Sequence, residues 1–132
     1  MRIAVARRNE MLDSIRDNLA TGKLRIYAGT RPTDADTALA SNTLLAELVF
    51  SAIAFPAASA GVITANAITQ DSSADATGTA SFARLFETDG TTVVCDLSVG
   101  VSASEINFQT LSFAIGLIVQ VTSLTISLPV GT

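Results

Sequence analysis

The chain contains no histidine and no tryptophan, one cysteine, one tyrosine and few charges. Without histidine there is no Ser-His-Asp or Cys-His nucleophile system, and the commonest metal ligand is missing. The lone Cys95 can close no internal disulfide and build no thiolate cage. Between Val94 and Leu97 it reads as a packed, inert thiol. A sugar-cleaving site needs two carboxylates across a cleft, usually with aromatic platforms, and Tyr27 is the only tyrosine. No glycine-rich phosphate loop occurs; GTRPTDAD (29–36) has the glycine, arginine and aspartates but not the spacing. The pairs Asp34/Asp36 and Asp71/Asp75 fit no twelve-residue calcium loop, and acids in loops are ordinarily solvated. The expectation is a protein that is not an enzyme, with no cofactor, no metal and no small-molecule substrate.

Charged residues make up 15% of the sequence against 48% hydrophobic ones, and the mean hydropathy is +0.46. An average domain carries about 25% charge. So few charges leave two outcomes: an exterior rich in alanine and threonine, or apolar surface buried against other subunits, which the composition favours. The N-terminal MRIAVARRNEM has no apolar core of a secretory leader. The most apolar run, AIGLIVQV (114–121), is far shorter than the ~20 residues of a membrane helix. A soluble protein made in the cytoplasm, with no membrane contact, is expected.

The 132 residues suit one domain, and a chain of this length buries enough surface to fold without metal or disulfide. Its charge is polarised. Residues 1–31 hold seven basic and three acidic side chains, a net of +4, whereas from residue 32 onward Arg84 alone faces nine acids, a net of −8. A basic head on an acidic body favours contacts between copies, or docking on an acidic surface. Nucleic acid fits less well, because the whole is acidic and no basic patch is studded with aromatics.

Residues 2–20 carry helical periodicity, with Val5, Leu12, Ile15 and Leu19 on one stripe and Gly22 as the stop. We read residues 1–22 as an N-terminal helical arm and 23–132 as a β-sandwich domain. The arm supplies the candidate interface residues: Arg2, Arg7, Arg8, Leu12, Ile15, Arg16 and Leu19. The stripe needs a partner, either its own sheet or a neighbouring subunit.

After Gly22 the period becomes two. Strands are expected at Lys23–Ala28, Thr43–Ser51, Gly61–Ile68, Thr77–Glu87, Thr91–Leu97, Glu105–Leu111 and Leu117–Pro129. QDSSADA (70–76) reads as a surface connection. Asp89-Gly90 marks a hairpin that sets Phe86 against Val93, Arg84 against Cys95 and Phe82 against Leu97. Arg84 then sits on an apolar face. Either it lies at an edge with its head in water, or an acid meets it in a structural ion pair; Asp71, Asp75 or an acid of another copy are the candidates. The last segment slips phase between Val121 and Leu124, which suggests a bulge or bend. Seven or so short strands after one helix give a mainly β fold: an antiparallel β-sandwich or jelly-roll-like domain behind an N-terminal helix.

RNEMLDSIRDNLATGKLRIYAGTRP (8–32), TLLAELVF (43–50), GVITANAITQDSSADATGTASFARLFETDGT (61–91) and LIVQVTSLTISLP (117–129), taken in this order, resemble small virion proteins of tailed bacteriophages. The resemblance spans most of the chain and implies a structural part of the particle with no catalytic residues. It implies a capsid decoration or cement protein, a minor capsid protein that sits as a homo-oligomer, expected as a trimer, on the major capsid protein at the capsid surface. A tail, neck or fibre-base component is the second expectation, and a carbohydrate- or host-surface-binding module the third.

Overall fold

The computed structural model of the chain describes residues 1–130; positions 131 and 132, the end of the 23–132 segment, lie outside the described residues. The first helix, α1, spans Val5–Asn18. Ala4 before it is extended and offers no side-chain cap. The helix is held by the rest of the chain instead. Leu12 and Leu19 are fully buried in the core and Ile15 packs against it. Asp13 accepts from the Ala58 amide at 2.8 Å and Asn9 from the Gly61 amide at 2.9 Å. Arg8 donates to the carbonyls of Ile3 and Leu128, both at 3.1 Å. The apolar stripe thus meets its own domain, and residues 1–22 form no detached arm.

The helix ends at Leu19, and Thr21 takes the left-handed turn with φ 54°. Gly22 serves a different purpose from the stop expected of it. A Cβ there would lie 2.5 Å from the Phe86 carbonyl, so glycine is needed for the close approach of two backbones.

Among the described residues ten strands follow: β1 (Lys23–Ala28), β2 (Thr43–Phe50), β3 (Val62–Thr64), β4 (Ile68–Thr69), β5 (Gly78–Thr79), β6 (Phe82–Phe86), β7 (Val93–Gly100), β8 (Ile106–Asn107), β9 (Ser112–Phe113) and β10 (Ser123–Ser127). Eight form one curled sheet in the order β3-β10-β8-β7-β6-β1-β2-β4, and β5 pairs with β9. The fold is mainly β and sandwich-like, behind an N-terminal helix. All pairs are antiparallel except β7–β8, where Val99 meets Ile106 in parallel.

Alternation along the central strands makes two faces. Leu24, Ile26, Ala46, Leu48, Ala83, Leu85 and Leu97 align across β2, β1, β6 and β7 and join Leu12 and Leu19 in the core. Tyr27, Phe82 and Phe86 are buried too, but outside that cluster, on the opposite face. Every residue of β6 is buried, as expected of a strand covered on both sides.

Two bulges reset the register. Ile26 pairs with Ala46 but Tyr27 with Leu44, so Leu45 is an extra residue on β2 and Leu44 shares the face of Tyr27. Phe86 pairs with Val93 as the Asp89-Gly90 turn predicts, but Leu85 pairs with Cys95. Val94 is the extra residue. Arg84 therefore faces Asp96, not Cys95, and Phe82 faces Ser98, not Leu97.

Several expected strands are shorter. Thr77–Glu87 divides into β5 and β6 at Ala80–Ser81, and Glu105–Leu111 keeps only β8. The long final segment keeps only Ser123–Ser127; upstream of the phase slip the chain is irregular, tied at Val119 by a two-way backbone bridge to Asp71. QDSSADA is accordingly more than a surface connection. The Asp71 carboxylate accepts the Glu47 amide of β2 at 3.0 Å, and the Asp75 amide donates to Leu45. The segment stitches the β2 edge to residues 114–119.

Candidate functional site

Four charged residues cross the sheet in one row: Glu47 on β2, Arg25 on β1, Arg84 on β6 and Asp96 on β7. Arginines directly opposite one another repel, so each turns to its own carboxylate. Arg25 Nε lies 2.6 Å from Glu47 Oε2, and its guanidinium sits 4.7 Å over the Phe86 ring. Arg84 meets Asp96 in a bidentate pair, Nε to Oδ1 at 2.6 Å and Nη2 to Oδ2 at 2.9 Å. Both side chains of that pair are almost wholly buried, 3% and 4% exposed. Arg84 also donates to the carbonyls of Thr37 (2.8 Å) and Asp34 (3.2 Å), in the loop joining β1 to β2.

The hydrogen bonds that Arg84 donates to Asp96 raise its pKa further above the ordinary value, against the desolvation of burial. For Arg25 burial is the largest influence and lowers the pKa, but the Glu47 hydrogen bond and charge prevail and raise it. Tyr27, stacked 5.4 Å from Phe82, is raised by burial, partly offset by Arg25 and Arg84. All three Arg84 nitrogens are engaged, so the row works as a clamp that fixes the loop over the sheet and leaves little to hold a ligand. Asp71 and Asp75, the candidates within the chain, are not the partners of Arg84. Asp71 caps Glu47 and Ser73, and Asp75 is exposed.

The candidate interface residues of the helix are scattered. Leu12 and Leu19 are inside the core and can touch no second protein without unfolding. Ile15 packs on that core, and Arg8 is tied to Leu128 and Ile3. Arg16 pairs with Asp13 and Asp17 at 3.4 and 3.1 Å. Arg2 and Arg7 are exposed, Arg7 in a surface pair with Glu10. Only these two remain as outward basic groups near the helix start.

A different surface stands out. No charged residue occurs from 48 to 70 or after Glu105. The fold brings these two stretches together: β3 pairs with β10, the Ala65 amide donates to Leu124, and Gln120 donates to Gln70. Two shallow grooves lie there, of about 140 and about 160 Å³, adjoining at Val121–Thr122. None of their lining residues is charged. Phe108 and Phe113, packed edge to face at 5.6 Å, contribute to the first groove.

Beside that groove stands an apolar lip. Ile115 is 70% exposed, Ile118 57% and Leu117 36%. The turn Ala114–Leu117 closes with a 2.9 Å hydrogen bond, and Gly116 at its third position has φ 87°, as a type II turn requires. Gly116 and Leu117 exchange backbone bonds with Ala74, and the Ile115 amide donates to Thr77 Oγ1. Three large aliphatic side chains are thereby held into solvent beside grooves whose lining residues carry no charge. Such a surface matches the centre of a protein–protein interface, which is depleted in charged residues. From sequence alone residues 117–129 read as one strand, which hides the lip. The two charge-free runs were the feature that could have pointed to it.

Among the described residues, no group of three or more Asp, Glu or Cys side chains is placed to hold a metal ion, and no helix is long and apolar enough to cross a membrane. Comparison of the chain with protein-family models, with curated proteins and with solved structures gives no match.

Proposed function

We propose that this protein is a structural assembly subunit of a tailed-bacteriophage particle, acting as a capsid decoration protein that adds buried contact area to the head. The observation that carries the reading is the apolar lip Ile115–Ile118 beside uncharged grooves. Leaving that surface in water is unfavourable at roughly 25 cal/mol per Å², and docking removes it. The resemblance of residues 8–32, 43–50, 61–91 and 117–129 to small phage virion proteins supplies the setting. On a shell that repeats one site many times, weak identical contacts add up to firm attachment. The outward Arg2 and Arg7 suit an acidic shell surface, whereas Arg8 is engaged within the chain.

The test is co-sedimentation of the purified protein with phage heads and, separately, with tails, followed by cryo-electron microscopy of the decorated particle. Density at repeated positions on the head supports the reading. Binding confined to tails moves the protein to the tail or neck, and absence of binding to either overturns a structural role in the particle.

A further inference from the structure

We infer that the uncharged face is the contact between two copies of this chain, with the lip of each copy seated in the groove of the other. The inference rests on the assembly reading above and names the partner of that surface.

Three observations lead there. The first is the placement of charge. The chain carries −4 overall, and its twenty charged side chains lie within residues 2–47 and 71–105. Residues 71–105 hold six acids against Arg84 alone, so two copies approaching through that part meet like charge. Across the two grooves, whose lining residues carry no charge, no such repulsion arises. A strongly acidic or basic partner would find no counter-charge there, so an identical copy is the occupant best matched to it.

The second is shape. Leu117 and Ile118 belong to the lip and also border the groove floored by Phe108 and Phe113. A projection and a recess side by side on one surface are self-complementary under a two-fold axis: each lip enters the opposite groove, and the contact closes without leaving a free lip. A threefold ring would need the projection and recess on different sides of the molecule. The geometry therefore departs from the trimer that the resemblance implies.

The third is extent. Three side chains cannot supply the roughly 800 Å² per partner of a stable pair. The second groove, between Ala65–Ile68 and Val121–Leu124, continues the uncharged surface from the first. Around them Gln109, Thr110, Gln120 and Thr122 offer a neutral polar rim, the arrangement of an interface with an apolar centre.

The experiment is sedimentation velocity on the full chain over a wide concentration series, with Ile118→Arg and, as a control away from the face, Val5→Arg. Ile118 and Val5 are both exposed, so neither change disturbs the core. The expected result is a concentration-dependent dimer, weakened ~10-fold or more by I118R and unchanged by V5R. Circular dichroism of each variant confirms that it is folded. A wild-type chain that stays monomeric at high concentration, or forms a trimer, overturns the inference, as does a dimer indifferent to I118R. Head co-sedimentation on the same samples separates the two readings. Binding by a monomeric wild type leaves the particle role standing and removes the paired face. A dimer broken by I118R that binds no particle keeps the face and removes the role.

Discussion

Arg84 and Asp96 face each other across β6 and β7 only because Val94 is inserted between the residues that pair with Phe86 and Leu85. Were Val94 paired with Leu85 in a regular ladder, Cys95 would stand opposite the guanidinium, and Asp96 would stand opposite Ala83 on the core face. The bulge converts a buried positive charge from a liability into the pin of the β1–β2 loop.

Removing one partner of this pair leaves the other charged and dry. Arg84→Ala or Asp96→Ala is expected to destabilise the protein by about 3–5 kcal/mol in urea unfolding, whereas Arg84→Met with Asp96→Leu costs much less. Loss of Arg84 also frees the Asp34 and Thr37 carbonyls. Elastase should then cut faster after the exposed Ala38 and Ala40 in that loop; an unchanged cutting rate would show that the loop does not depend on the clamp.

The helix is integral to the fold. Leu12→Ala is expected to cost about 2–5 kcal/mol, the range for emptying a fully buried leucine site. A chain lacking residues 1–20 loses Leu12 and Leu19 together with the ties at Ala58 and Gly61. It should show neither a cooperative thermal transition nor dispersed amide resonances. A well-folded truncated body would contradict the packing described above.

Cys95 is expected to be unreactive. Burial, followed by the charges of Glu105 and Asp96, pushes its pKa up to about 12. An ordinary thiol titrates near ~8.5. The unfolded chain therefore ionises first, and stability should decline as pH rises from ~8.5 toward the folded value. A thiol reagent at mildly alkaline pH should label the native protein far more slowly than the urea-unfolded one. Equal rates would place Cys95 at the surface.

The hairpin turn should be sensitive to acid. The Asp89 carboxylate accepts from the Thr92 hydroxyl and from the Thr91 and Thr92 amides, at 2.6–2.9 Å, which holds its pKa well below the carboxylate range. Its stabilisation is complete above the unfolded value of ~3.9 and is lost as pH falls through the lower folded value. Wild type and Asp89→Ala should differ in urea midpoint at neutral pH and converge in strong acid. A constant difference would deny the carboxylate this role.

Much of the architecture follows from local pattern. Lys23–Ala28 and Thr43–Phe50 alternate cleanly and become β1 and β2, and Asp89-Gly90 gives the Phe86–Val93 pairing. The bulges at Leu45 and Val94 have no such mark. Each is fixed by long-range fit: Leu45 by close packing near Gly78, Val94 by bringing Asp96 to Arg84. The same limit hid the lip. Ala114–Val121 is apolar enough to read as a buried strand, and only the turn at Gly116 and the backbone bonds to Ala74 place Ile115 and Ile118 outside. Composition could announce surplus apolar surface, while its location depended on which segments pair across the fold.

The Ile3 amide donates to the Val130 carbonyl at 2.8 Å, and Arg8 reaches Leu128, 120 residues along the chain. The helix is thus latched by a segment that follows it at a distance of 120 residues. A nascent polypeptide leaving the ribosome must keep Leu12 and Leu19 waiting until β10 emerges, and closing so long a loop makes for slow folding. The same adjacency lets a short linker join the two ends and new termini be opened in an exposed turn such as Thr88–Thr91, so that the latch is formed early in a circularly permuted chain.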